Sequence, residues 1–476
     1  AAALLLAGTS VISSGALAIT PILVTESTDD GFASEGSFSW ALAEAAEMEG
    51  SSIIVVATDG DIDISATLEY GGSDPLHIIG SNQTVRALDD FTLLAATAGA
   101  DLSITGLQFE GSGGFDINNQ SSADNPGKGI FVQVPDVAFG LVELKLSSVS
   151  VRNVANHGIH VSDCDLDDIC GAGGGGGGGG SPASVSVQLT NVEVKDVGNG
   201  KFDADGLRVD ERGMGNIKAI IHNSSFKGVG ADGVELDEGD DGSIVARVSA
   251  TEFEGNGGYC DPDQLEAELE TFLDGAPDEA EFLPGFAGIE AIPGGGVISG
   301  TSDNRCFEYE IDFFDDTSVE KYEISIDLDD GIDLDEAGEG SLEVVMVDSN
   351  IKDNLDEGVD FDEEDAGRIE VSFVDTEAKN NTDDAYKMSE EDDGEVNGLM
   401  YKAVAKGNGG AGAVFEEESD GDLQVLVSNS ETAGNDGGEG PGVEAVQEDD
   451  GDGTLTLINS KIKDGTELDG VDLIID

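Results

Sequence analysis

Residues 330–336 read Asp330-Gly331-Ile332-Asp333-Leu334-Asp335-Glu336, an Asp-Gly turn followed by strict alternation of apolar and acidic side chains. Alternation with a period of two marks a strand with one face in a core. The phrase recurs as Asp232-Gly233-Val234-Glu235-Leu236-Asp237-Glu238 and as Glu357-Gly358-Val359-Asp360-Phe361-Asp362-Glu363. Gly331 and Gly358 are 27 residues apart, as are Gly206 and Gly233. A phrase that returns at a fixed interval is a unit that stacks on copies of itself.

One interval is legible from Gly331 onward. A polar turn, Ala337-Gly338-Glu339-Gly340, leads to a second apolar strand, Leu342 to Val347. Asp348-Ser349-Asn350-Ile351 and a turn at Asp353-Asn354 complete it. Three short strands and three turns make one triangular rung of an all-β solenoid, a β-helix of about 27-residue coils. No part of the unit has a 3.6-residue period, and neither the leucine-rich phrase nor a nine-residue Gly-Gly-x-Gly-x-Asp phrase recurs. The expected inward stack is Leu207/Val209, Val234/Leu236, Ile332/Leu334, Val359/Phe361, Tyr386/Met388, Ala413/Phe415, Val443/Ala445 and Val471/Leu473. Asn223, Asp348, Asp375, Asn429 and Asn459 read as a buried structural ladder at one turn.

The start of the chain differs. Residues 1–18 are a short apolar run ending in Ala16-Leu17-Ala18, as in a secretory signal peptide without its basic start. Then come a strand at Ile22-Leu23-Val24-Thr25, a helical pattern over Ser37 to Glu49, strands over Ser52 to Ala57 and Ile62 to Leu68, and His77-Ile78-Ile79-Gly80. This order, over residues 22–82, resembles the N-terminal cap of secreted bacterial right-handed parallel β-helix proteins of the pectate-lyase-like superfamily. The resemblance implies a helical cap within 19–82 and a right-handed parallel β-helix over 83–476.

Two excursions interrupt the coils, at about 164–184, which holds Gly173 to Gly180, and at about 258–306. Each is bracketed by cysteines. Four cysteines allow three pairings, and the spacing favours Cys164–Cys170 and Cys260–Cys306. Disulfides place the chain in an oxidising compartment. No CxxC spacing or nearby histidine supports zinc. The chain ends at Val471 to Asp476 in mid-strand, so a further cap or another chain is expected to continue the stack.

Charge bounds the function. There are 101 acidic against 21 basic side chains, for a formal net charge of −80. Such a surface repels nucleic acid and anionic membranes. Past the first residues, no apolar stretch approaches the ~20 residues that span a bilayer. Divalent cations are the expected partners, and calcium the expected ion, because stacked carboxylates supply the oxygen ligands it takes. The candidate ligands are Glu235, Asp237, Asp333, Asp335, Asp360 and Asp362, with Lys387 and Ser389 breaking the ladder. No catalytic residue is assigned. There is no Ser-His-Asp order, phosphate loop or metal-histidine phrase, and Arg208, Lys218 and Arg247 form no evident cluster. The sequence reads as a secreted or cell-surface structural or adhesive protein of saline or calcium-bearing surroundings. A polysaccharide or another copy of the chain is a further expected partner. The alternative is a polysaccharide lyase or glycoside hydrolase of the same fold.

Overall fold

The computed structural model describes residues 20–116, 119–163, 180–258, 307–315, 318–326, 328–364, 366–392, 394–448 and 451–476, with only the backbone described over 307–326. The segment 1–18, the glycine run up to Gly179 and Cys164, Cys170, Cys260 and Cys306 with both expected disulfides lie outside the described residues.

The chain winds into a right-handed parallel β-helix with three faces. The first face carries the longer strands, among them Leu102–Glu110, Gly140–Ser147, Ile217–His222, Ile244–Ser249, Leu342–Val347, Arg368–Val374 and Glu395–Tyr401. The second carries strands of two or three residues, such as Ser225–Lys227, Glu252–Glu254, Asn350–Lys352 and Glu377–Lys379. The third is a 12-stranded sheet running from Leu68–Tyr70 to Thr466–Asp469. Pairing is parallel and in register from rung to rung, with Ile332 beside Val359 and Leu342 beside Ile369. One continuous apolar core fills the interior.

A helix at Phe38–Glu47 opens with Ser37, whose hydroxyl accepts from the Trp40 amide. It buries Phe38, Ala41, Leu42 and Ala45 in the core. That amphipathic spacing follows from the Ser-Phe-Ser-Trp-Ala-Leu pattern.

Each corner has its own polar column. Between the first and second faces, Asn223, Asp348, Asp375, Asn429 and Asn459 all have φ from 49° to 54°. They are exposed, not the buried ladder the sequence suggested. A short polar side chain tolerates the left-handed turn there, and this is what recurs. The buried column beside them is hydroxyl: the amides of Val192, Ala403 and Ser430 donate to Ser224, Ser430 and Ser460 on the next rung.

The buried asparagine ladder stands at the second corner. Asn256, Asn354, Asn381 and Asn408 each donate Nδ2 to the next member's Oδ1 at 2.9–3.1 Å, ending on Asn435. At the third corner, alternation turns the residue after the acidic pair inward. Glu211, Glu238, Glu336, Glu363, Glu390 and Glu417 form a column at most 1% exposed, with Gln447 in the next slot. Each is followed four residues later by glycine. A Cβ at Gly367 would lie 1.9 Å from Glu363 Oε1, and one at Gly394 2.2 Å from Glu390 Oε1.

Two features depart from the sequence reading. The last rung is short, so Thr466 and Leu468, not Val471 and Leu473, continue the inward stack beside Val443 and Ala445. Gly470, with φ 63°, turns the chain, and Val471–Ile475 joins the first face beside Gly453–Leu457. The second excursion also extends beyond Cys306. Phe307–Asp315 and Ser318–Ile326 pair antiparallel with each other in a separate two-stranded sheet, and the rungs resume at Ile332.

Candidate cation-binding face

The outward side of the third face is where the charge concentrates. Gly331 starts this strand because a Cβ there would lie 2.5 Å from Gly358 O and 2.7 Å from Asn354 Nδ2. Only glycine or a shifted backbone lets the rungs stack so closely at this corner. From it, Asp333 and Asp335 point out. Register places them beside Glu235 and Asp237 on one rung and beside Asp360 and Asp362 on the other. All six residues expected as ligands are thus brought together, about 4.8 Å apart along the stack.

The face is more enclosed than a solvated acidic surface. Glu235 is 5% exposed and Asp237 3%. Burial, followed by the Asp335 carboxylate, pushes Asp333 well above the usual carboxylate range. Burial, with Asp237 and Asp360, raises Asp335 to about 8. Burial and Asp360 raise Asp362 as well. Glu235 is raised by burial against the pull of Arg208. Neighbouring carboxylates that cannot all ionise must hold protons or a cation. One oxygen each of Asp360 and Asp362 has no hydrogen-bond partner.

Cations of the chain close the ladder at both ends. Lys387 Nζ donates to Asp360 Oδ2 at 2.8 Å. At the other end, Arg208 donates to Asp237 at 2.9 Å and to Asp210 at 2.6 Å, and pairs with Glu235. Arg212 pairs with Asp237 as well. That carboxylate is therefore engaged by two guanidinium groups.

Arg208 belongs to a cluster that the sequence did not reveal. Lys128 Nζ donates to His160 Nδ1 at 2.7 Å, and His160 Nε2 donates to Asp210 Oδ2 at 2.6 Å. Burial and Lys128 lower His160 to about 4, so the ring is neutral and this tautomer fits. Arg208 and His160 hold Asp210 low despite its burial. Lys128, His160, Arg208 and Asp210 lie 80 residues or more apart at the extremes, and only the register of successive rungs aligns them. Lys218 and Arg247 are exposed elsewhere, on the first face. The network joins acid to base without an open side, since none of its members is more than 6% exposed.

Among the described residues, four sets of three carboxylates bring ligand oxygens within 4.8 Å of one another. They are Glu235–Asp333–Asp335, Asp203–Asp205–Glu235, Asp330–Glu357–Asp360 and Asp356–Glu357–Asp383. Three expected residues, Glu235, Asp333 and Asp335, form the first set, and Asp360 enters the third. Asp237 and Asp362 enter none.

No family model matches the chain, and no curated protein matches it. Among solved structures it is similar to the Dettilon tailspike protein, with TM-score 0.46 and 8% identity over 90% of this chain and 64% of that one. It is also similar to the catalytic unit of a GH87 α-1,3-glucanase from Streptomyces thermodiastaticus, with TM-score 0.41 and 11% identity, covering 94% and 69%. For pectate lyase Pel9A the TM-score is 0.34 and the identity 12%, covering 88% and 80%. The chain spans less than two thirds of the tailspike's length. The likeness is one of backbone alone, and the stacked parallel rungs themselves define the class as a parallel β-helix.

Proposed function

We propose that this chain is an extracellular or cell-surface β-helix of structural or adhesive role, whose third face is held together by divalent cations, calcium first. One observation supports the reading above others. Between Arg208/Arg212 and Lys387, the carboxylates Glu235, Asp333 and Asp335 converge within 4.8 Å, on two adjacent third-face strands that carry no basic side chain, with Arg208 reaching only Glu235 of the three. Calcium accepts six to eight oxygens at about 2.3–2.6 Å and tolerates irregular geometry, which a column of side chains supplies better than the octahedron magnesium needs. An ion bound only by the folded chain adds about 2.7 kcal/mol at a hundred times its Kd.

The test is thermal unfolding with calcium, magnesium, chelator and sodium at matched ionic strength. Calcium is expected to raise the Tm well above the value in matched sodium. A shift no larger than that of magnesium or sodium overturns the reading.

A second reading, binding or cleavage of a polysaccharide, is favoured by an open cavity of about 360 Å³ lined by Phe115, Asn153, Asp196 and Asn199. An aromatic ring beside amide and carboxylate groups suits a sugar. Product release from a panel of neutral and acidic glycans decides between the two. The first reading expects no turnover, and clear turnover replaces it with the second.

A further inference from the structure

From Gly206 to Ala385, the residue just before the third-face corner position forms another column: Asp205, Asp232, Asp330, Glu357 and Asp384. In most of it, the carboxylate is used by the backbone of the next rung. Asp205 Oδ1 accepts the Asp232 amide at 3.1 Å, Asp232 accepts the Asp330 amide, and Asp384 accepts that of Ala411. The pattern stops at Asp330. This residue is 6% exposed, yet its Oδ1 has no hydrogen-bond partner. Instead its carboxylate lies with those of Glu357 and Asp360, ligand oxygens within 4.8 Å of one another. Asp360 Oδ1 also lacks a partner, while its Oδ2 accepts from Lys387. Glu357, where the column carries a side chain longer by one methylene, belongs at the same time to a second set with Asp356 and Asp383. Asp383, at the outer edge of that set, is exposed.

We propose that Asp330, Glu357 and Asp360 form a divalent-cation site at the corner of the β-helix, separate from the one on the outward face, with Asp356 and Asp383 marking its approach from solvent. A buried aspartate oxygen without a donor, facing two further carboxylates, is in the state that a cation relieves. Three carboxylates offset by one lysine leave a net negative site of oxygen donors, the chemistry of calcium rather than of a thiolate- or imidazole-seeking metal. The ion joins successive rungs, taking the place of the amide-to-carboxylate bond that the column makes elsewhere. This deepens the cation reading and rests on it for the class of ion.

Calorimetric titration of the full chain with calcium chloride, with melts in chelator and in calcium, tests it. Glu357→Gln and Asp330→Asn are expected to lose one calcium per chain, or to weaken that step at least tenfold, while Asp333→Asn keeps it. In chelator, Glu357→Gln is expected to melt no lower than wild type, because a repelling charge is gone. A merely structural glutamate would melt lower there. If Glu357→Gln and Asp330→Asn keep the full stoichiometry and calcium shift while Asp333→Asn loses both, the corner site is wrong and the face site stands. If no variant changes either quantity, both fail.

Discussion

The glutamate column predicts a stability that falls as pH rises. Glu390 is fully buried, with Glu363 on the rung before and Glu417 on the rung after. Neither oxygen of Glu363 or of Glu390 has a hydrogen-bond partner. Carboxyls facing one another at about 4.8 Å between strands are satisfied only if protons are held between them. Burial first, and among its neighbours the Glu417 carboxylate, push Glu390 up to about 8 from an ordinary 4.5. Such a group holds its proton more tightly folded than unfolded. Its stabilising contribution is therefore complete below pH 4.5 and is lost as pH rises through about 8. At about 1.4 kcal/mol per pH unit between the two values, this one group lowers stability by at most about 5 kcal/mol at pH 9. Sharing of protons along the column reduces the expectation to about 2–4 kcal/mol. Glu390→Gln places a permanent donor in the slot. The column already contains that solution, since Gln447 Nε2 donates to Glu417. The assay is denaturant unfolding at pH 5, 7 and 9, in chelator and about 1 M salt to screen surface charge. Wild type should lose stability across the series. Glu390→Gln should match it within about 1 kcal/mol at pH 5 and exceed it by about 2–4 kcal/mol at pH 9. Equal losses in the two proteins, or a wild type whose stability does not fall with pH, would refute the proton-sharing column.

Other columns give separate tests. Asn381 is 2% exposed, accepts from Asn354 N and Nδ2, and donates to Asn408. Asn381→Ala leaves buried partners unsatisfied and should cost about 2–4 kcal/mol in denaturant unfolding, with little dependence on pH or calcium. Lys387→Met removes the cation that closes the ladder at Asp360, so the Tm in chelator should fall and the upward shift on adding calcium should grow. Gly367→Ala sets a Cβ 2.2 Å from the backbone oxygen of Gly340, and a melt should show destabilisation that Glu363→Gln does not rescue.

The rung was legible because its signal is covalent and periodic. The alternation at Ile332-Asp333-Leu334-Asp335 fixes which side chains face in, and the 27-residue interval fixes which of them stack. The alternation held from Leu207 to Ala445, while the interval held from Leu207 to Leu236 and from Ile332 to Phe415, broken by the second excursion and by a 30-residue step to Ala445. The last rung failed because Gly470 imitates the corner glycine while an earlier turn shortens the coil. The Asn ladder was assigned to the wrong column because both corners place short polar residues at the same interval. Only burial separates Asn354 from Asp348, and burial depends on the two neighbouring rungs. The Lys128–His160–Asp210–Arg208 network was out of reach for a related reason. Its members come from rungs interrupted by an excursion, where the interval no longer predicts the register.

The acidity then divides by side of one strand. Asp335 and Glu336 are adjacent, yet they point to opposite sides of the third face and join different columns. The inward column contacts other glutamates, with Asp163 acting at the Glu211 end and Asp420 at the Glu417 end, and apolar first-face residues such as Leu342 and Ile369 lie in the core nearby. Burial there favours neutral carboxyls, so protons are its natural counter-charge. The outward column meets Arg208, Arg212 and Lys387 at its ends and leaves Asp333 and Asp335 between them, within reach of an ion. Raising the pH therefore acts in opposite directions on the two sides. It strips protons from the inner column and weakens the fold, while it frees the outer carboxylates to take calcium and strengthens it. The calcium-induced rise in Tm should accordingly grow from pH 5 to pH 8, even as the Tm in chelator falls. A calcium shift that stays constant over that range would mean that the outward carboxylates are already ionised at pH 5, and that their mutual repulsion is relieved by something other than protons.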